Sequence, residues 1–408
     1  MKKDKPYDVV IVGGGASGFF LANLLMDKSP DLHVLILEKT GKTLQKVKIS
    51  GGGRCNVTHN QPSPSMFSKN YPRGENFLKN KFTIFGQLEM INWLEEKGIQ
   101  LKTEGDNRMF PQSNSSQTIV DCLFSVTNKK NCSLQSNFSI DSFEYENGFI
   151  ALTHKEITLK TKKLVLAPGS SESLWKLLEN KGINVISRVP SLFSFKFLNH
   201  PMLDLAGVSM QKVSIRLQGS KLTSTGPWLV THQGISGPAV LKLSAFAARN
   251  LHETNYNFDL AINFTNAKTW DEVNAEVQQN QGSQKHIVNQ IMYDIPKRLW
   301  SFLLLRSGID EEKKWVDLTK KEANKLTEEL FQGIYKVNGK NTFKDEFVTA
   351  GGVDLTEIDS TSCELKKLPN VYCIGEFLNI DGVTGGFNFQ NCWTTGYLAA
   401  QSILNNGL

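Results

Sequence analysis

The sequence predicts an α/β fold: a parallel-sheet domain interrupted by an inserted region, first β-rich and then helical. Three observations carry this reading. Residues 9–12, Val-Val-Ile-Val, form a short continuous apolar run of the kind a strand buried on both faces shows. The run passes straight into Gly13-x-Gly15-x-x-Gly18, after which Leu21, Leu24 and Leu25 recur at helical spacing. A second apolar run, residues 34–37, ends at Glu38, twenty residues past Gly18.

Each part of that stretch has a physical role. Gly13 permits the tight turn, Gly15 lets backbone approach a pyrophosphate, and Gly18 lets helix and strand pack closely. The helix N-terminus, with Ala16 and Ser17 in its first turn, offers free N–H groups and about half a positive charge to phosphates. Glu38, with Lys39 beside it, is placed to accept from ribose hydroxyls. Strand, glycines, helix, strand and acid in register make a Rossmann-like dinucleotide-binding unit.

A chain of 408 residues is long enough for two to three domains. With 40% hydrophobic and 21% charged residues it reads as an ordinary globular protein. Its formal charge of +6 is spread along the chain, which suggests a solvated surface and no nucleic-acid partner. No apolar run approaches the ~18 residues of a membrane span, so no membrane partner is expected. The N-terminal lysines precede only a four-residue apolar stretch, too short for a signal peptide. The six cysteines make no C-x-x-C pair and no metal spacing, so reduced thiols and a cytoplasmic location are expected, with no metal.

Further along, Lys46-Val-Lys-Ile-Ser50-Gly51-Gly52-Gly53-Arg54-Cys55-Asn56 is the second informative stretch. Three consecutive glycines cost folding entropy and pack nothing, so a close backbone approach accounts for them. Lys46 and Arg54 are placed to neutralise a diphosphate, with Gly52, Gly53 and Asn56 beside it. Helical spacing runs from about 75 to 97, with Leu88, Ile91 and Leu94 on one face. Arg108 follows an acidic turn and either meets an anionic substrate or pairs with a neighbouring acid. Residues 132–163 alternate around an Asn147-Gly148 hairpin turn and suggest a small antiparallel meander crossing over the sheet. Residues 164–167 are another buried strand, so Ala167 and Gly169 lie where a nucleotide would pass.

The domain expected to bind the dinucleotide takes residues 1–189 and 343–408. Between them lie a β-rich substrate domain over 190–264 and a helical subdomain over 265–342. In the β-rich part His232, within Thr231-His-Gln-Gly-Ile-Ser-Gly-Pro238, is either a general acid, a substrate ligand or a satisfied loop histidine. At the C-terminal end, Gly351-Gly352 makes a glycine turn and a buried strand ends in Gly375-Glu376. Gly385, Gly386, Phe387 and Asn388 then open a last helix. A second glycine-lined helix N-terminus suits a cofactor with another electron-rich end, which FAD has at its N1–C2=O edge. Gly351, Gly352, Gly385 and Gly386 would let backbone reach that ring.

On these motifs the chain resembles the aminoacetone-oxidase-like family of FAD-dependent oxidoreductases, which includes bacterial bile-acid enone reductases, and more distantly fumarate-reductase flavoproteins. The matching stretches are Gly13 to Gly18, Ser50 to Asn56, Arg108 to Pro111, Thr231 to Pro238, Thr349 to Val353 and Gly375-Glu376 through Gln390. The resemblance implies a glutathione-reductase-type FAD domain with the insertion as a lid, and hydride transfer between flavin N5 and a small substrate in the cleft. Glu376 would hold the ribityl chain; Arg108 and His232 would face substrate. The chain departs from the family at Pro168, Asn379 and residues 361–366. An amine or aminoketone oxidase is the leading expectation. An NAD(P)H-fed ene-reductase, with the nicotinamide acting transiently, and an FAD-binding RNA-modification protein are the alternatives.

Overall fold

The computed structural model describes residues 6–265, 269–341 and 348–405. The chain divides into two compact units, one of Met1–Val189 with Val348–Leu408 and one of Pro190–Phe347.

The first unit is built on a seven-stranded sheet. β1 (Tyr7–Val12) lies parallel between β2 (Val34–Leu37) and β9 (Ile157–Leu166), because helix α1 (Ala16–Lys28) returns the chain across one face. Val9, Val10, Ile11, Val34 and Ile36 are fully buried, each contributing about 1.5–3 kcal/mol. β3 (Thr58–His59), β5 (Arg108–Pro111) and β4 (Leu101–Thr103) form a separate three-stranded sheet, in that spatial order.

The alternating stretch 132–163 holds the expected antiparallel meander from residue 142 onward, but its first strand goes elsewhere. β6 (Cys132–Gln135) joins β2 in parallel at the sheet edge. β7 (Ser142–Glu146) and β8 (Phe149–His154) form a hairpin around left-handed Asn147 and Gly148, and the next strand continues it as an antiparallel meander. β9 is ten residues long and serves two roles: its first half is antiparallel to β8, its second half parallel to β1. The hairpin therefore extends the sheet and does not cross it. The helical stretch 75–97 is also broken, into Glu75–Lys79, a 3₁₀ turn and Gln87–Glu96. Leu88 is 54% exposed, and Met90, Trp93 and Leu94 are the buried face.

β10 (Val185–Ser191) pairs with β18 (Val348–Val353) in a two-stranded ribbon. β19 (Val371–Cys373) then lies parallel to the end of β9, and the last helix, Phe387–Asn405, packs against α1.

In the second unit β11 (Ser194–Lys196), β12 (Ser209–Leu217), β13 (Thr223–Thr231), β14 (Gly234–Ser236), β15 (Asn257–Asn263), β16 (Gly333–Asn338) and β17 (Lys340–Asn341) form one sheet. Their order is β16-β15-β12-β13-β14-β11-β17. Helices between β15 and β16 add Leu299, Trp300, Leu303, Leu326 and Leu330 to its core. One of them, Lys297–Arg306, starts after Pro296 as its sequence suggests.

Candidate functional site

At the end of β1 the chain turns at Gly13, whose φ is +120° and where a Cβ would stand 2.2 Å from the Ala167 oxygen. Gly18 is held equally tightly, since its Cβ would meet the Gly13 oxygen at 2.2 Å. Gly15 is the contrast: a Cβ there would meet nothing within 4 Å. Gly15 caps α1 without a side-chain hydrogen bond, and the first turn, with Ala16 and Ser17 buried, has no acid. Free N–H groups facing an open cradle are the donor set a diphosphate needs. Glu38 sits at its side, accepting from Gly14 N at 2.9 Å and from Thr40 N and Oγ1 at 2.8 Å. Lys39 beside it is exposed.

A second cluster closes against the same turn. A Cβ on Gly375, whose φ is +68°, would stand 2.7 Å from Ser17 Oγ. The next residue, Glu376, pairs with Lys46 at 2.5 Å and accepts from Ser170 Oγ at 3.3 Å and Thr349 N at 3.4 Å. A Cβ on Gly169 would lie 3.6 Å from Glu376 Oε2. Fold closure thus gathers Gly13, Ser17, Lys46, Ala167, Gly169, Gly375 and Glu376, which come from four separate stretches of sequence. In the last helix, Asn391 is 1% exposed and its Oδ1 has no protein partner. The open cradle, with Glu38 at its side and Glu376 closing against the same turn, fits the diphosphate and hydroxyls of FAD.

The third cluster forms around the small β3-β5-β4 sheet. Gly51, Gly52 and Gly53 are all left-handed, and Gly52 and Gly53 are exposed. Asn56 is buried, and its amide oxygen accepts from Gly386 N at 3.1 Å while its nitrogen donates to the Thr58 and Met109 oxygens. The Asn388 amide bridges both backbone groups of Gly382, and the Phe387 carbonyl accepts from Tyr71 OH at 2.6 Å.

The glycines assigned to the flavin ring have nearer causes. A Cβ on Gly386 would strike Thr58 backbone at 2.6 Å, on Gly352 the Phe377 oxygen at 2.6 Å, and on Gly351 the Ser187 oxygen at 2.5 Å. On Gly385 it would meet the Phe387 ring at 2.9 Å. Close packing of protein on protein therefore requires glycine there.

Arg54 and Arg108 flank Phe110, with guanidinium carbons 4.1 and 5.5 Å from its ring centre. Glu104 bridges them, accepting from Arg54 Nη1 at 2.5 Å and Arg108 Nη2 at 3.4 Å, and Asp106 accepts from Arg108 Nε at 2.7 Å. Arg54, read from sequence as a diphosphate partner, thus turns toward the acids of the 104–106 turn. His232 lies in the second unit, exposed in the tight turn between β13 and β14.

His59 was not singled out in the sequence. It lies directly across from Arg108 in the β3–β5 pair. Its Nδ1 is 3.1 Å from the Gly385 oxygen, and its ring rests on Phe387 with centres 4.7 Å apart. Burial lowers its pKa from 6.5 and outweighs the Gly385 contact. Its only signal was its position three residues after Asn56. All six cysteines are free, and burial raises their thiol pKa values, to about 12 for Cys55. No described helix is long and apolar enough to cross a membrane.

A family model described as "HI0933-like protein Rossmann domain" matches residues 7–402. The chain is 28% identical over 415 aligned residues, 98% of each chain, to the "Ribosomal RNA dihydrouridine synthase" of Escherichia coli K12. It is 25% identical to the "3-dehydro-bile acid delta(4,6)-reductase" of Clostridium scindens, over 96% of this chain and 98% of that one. Among solved structures, 3-ketosteroid delta1-dehydrogenase from Sterolibacterium denitrificans shares the fold, with a TM-score of 0.51 and 12% identity. That match covers 98% of this chain and 100% of the other.

Proposed function

We propose, given that this chain belongs to the HI0933-like family and is an FAD-dependent oxidoreductase, that it reduces a carbon–carbon double bond conjugated to a carbonyl. The bond we assign is C5=C6 of a uridine in RNA. The supporting observation is the end-to-end match to a ribosomal RNA dihydrouridine synthase, alongside a relative named as a reductase of a bile-acid ring. Both names describe adding two hydrogens to a ring double bond. This reading stands ahead of the amine-oxidase expectation, and it replaces the expectation of no nucleic-acid partner. An RNA substrate would put the protein in the cytoplasm.

FAD, when bound and reduced, supplies the hydride. The residues of the first unit bind and orient. The N–H groups of residues 15–18 would hold the diphosphate, Glu38 the adenosine ribose, and Glu376, steadied by Lys46, the ribityl hydroxyls. Arg54 and Arg108 would offer cationic edges on Phe110 to an RNA phosphate or to the uracil carbonyl that gains charge as the bond is reduced. A dihydronicotinamide would serve as the electron donor.

The test is to incubate FAD-loaded protein with NADPH and ribosomal RNA lacking dihydrouridine, then measure nucleosides by mass spectrometry. Dihydrouridine should appear in proportion to NADPH consumed. Unmodified RNA alongside rapid turnover of an amine would overturn the reading.

A further inference from the structure

Reducing the double bond takes a hydride at one carbon and a proton at its neighbour. Resting on the uridine-reducing reading of this site, we propose that His59 delivers that proton from Nε2.

The geometry fixes which nitrogen can do so. The Gly385 carbonyl can only accept, so the His59 Nδ1 that faces it at 3.1 Å must carry a hydrogen. Nε2 is then the atom that gains and loses the exchangeable proton. The ring is clamped in this orientation by Phe387 beneath it and by β3, whose pairing with β5 sets His59 across from Arg108. Two glycine turns converge here. Asn56 ties the backbone of Gly386, next to Gly385, to the end of the segment that carries Gly51, Gly52 and Gly53.

The charged groups facing the imidazole are Arg108, which opposes its protonation, and Asp106, which favours it. The C-terminal turn contributes only the Gly385 carbonyl and the Phe387 ring. Other groups nearby are poor donors. Arg54 and Arg108 do not release protons at accessible pH. Cys55 is fully buried, Tyr71 OH is hydrogen-bonded to the Phe387 oxygen, and Lys46 is paired with Glu376. His59 is the group of this cluster that can exchange a proton, and burial lowers its pKa from 6.5 so that the protonated ring is a ready donor.

The step balances as follows. FAD, when bound and reduced, would supply the hydride and its electron pair for the new C–H bond at uracil C6. The π pair of the double bond shifts to C5 and takes the proton, forming C–H as Nε2–H breaks. Neutral His59 then recovers a proton from water, and a dihydronicotinamide would supply the electrons for the next turnover.

His59→Asn tests this, because its amide nitrogen can replace the Nδ1 donor to Gly385 while Nε2 is lost. Single-turnover oxidation of the reduced, FAD-loaded protein by RNA should slow by about 10²–10⁴-fold. FAD affinity and the rate of flavin reduction by NADPH should stay as in wild type. The wild-type rate should fall as pH rises past the His59 titration, and that limb should vanish in the variant. A small cyclic enone as acceptor gives the same comparison if RNA is not reduced, so failure of the RNA reading is distinguishable from failure of the His59 role. Nitrogen NMR of wild-type protein should show His59 with hydrogen on Nδ1. A wild-type rate and pH limb in His59→Asn, or an Nε2-protonated neutral His59, would overturn the assignment.

Discussion

Lys46 Nζ lies 2.5 Å from Glu376 Oε2, joining the segment after β2 to the turn after β19 across 330 residues of chain. The lysine side chain is 52% exposed, so as an ion pair alone it stabilises the fold by no more than about 1 kcal/mol. The assigned role of Glu376 is cofactor binding. Glu376→Ala should weaken FAD binding by about 1–3 kcal/mol while moving the melting temperature of the cofactor-free protein little. Fluorescence titration of FAD against both proteins measures the first, and calorimetry the second. Equal FAD affinities would remove Glu376 from the site.

Gly13 and Gly15 separate folding from binding. Gly13→Ala forces a Cβ against the Ala167 carbonyl at a left-handed φ and should destabilise the protein with or without FAD. Gly15→Ala has open space and an extended backbone at φ −99°, so the FAD-free protein should melt like wild type. Its Cβ would, however, stand where the diphosphate must pass, and FAD retention after gel filtration should be lost. A Gly15→Ala protein that holds FAD normally would displace the diphosphate from this cradle.

Gly386 is glycine because of Thr58, whose backbone would lie 2.6 Å from any Cβ. Gly386→Val should therefore lower stability by about 1–3 kcal/mol or more whether FAD is bound or absent. Urea unfolding of both forms is the measurement. A variant of wild-type stability with a shifted flavin potential would return this glycine to the cofactor.

The Cys55 thiol, fully buried and pushed up to about 12, is not a nucleophile at neutral pH. Cys55→Ser should keep FAD and most of the RNA-reducing rate. Brief alkylation of the native protein should leave Cys55, Cys363 and Cys373 unlabelled. Turnover abolished in a Cys55→Ser protein that retains FAD would contradict this.

Acid should loosen the second unit through Glu322. Burial alone would raise this carboxyl, but hydrogen bonds from Lys313, at 2.7 and 2.8 Å, and from Thr319 bring it from 4.5 down to about 2. Because the folded value is the lower one, the stability it contributes is complete above 4.5 and is lost as pH falls toward about 2. Melting curves across that window should show a smaller acid loss in Glu322→Gln than in wild type. Identical slopes would mean that other groups carry the acid sensitivity.

The sequence by itself determined the β1–α1–β2 unit with Glu38 at its end. Each of its signals is local: an apolar run, glycines at fixed offsets, a 3.6-residue period. It also located the strand ending in Gly375-Glu376, the Asn147-Gly148 hairpin and the helix after Gly386. Only the tertiary structure decided that β6 is parallel, since an alternating pattern does not name its partner. It also decided that Arg54 faces Glu104, that Gly386 is required by Thr58, and that His59 meets Gly385. Those contacts join residues up to 328 positions apart through the closure of the β3-β5-β4 sheet against the last helix. Local propensity sets what each segment is, but the pairing of distant segments is fixed by which buried surfaces and backbone groups satisfy one another, and no short window of sequence holds both partners.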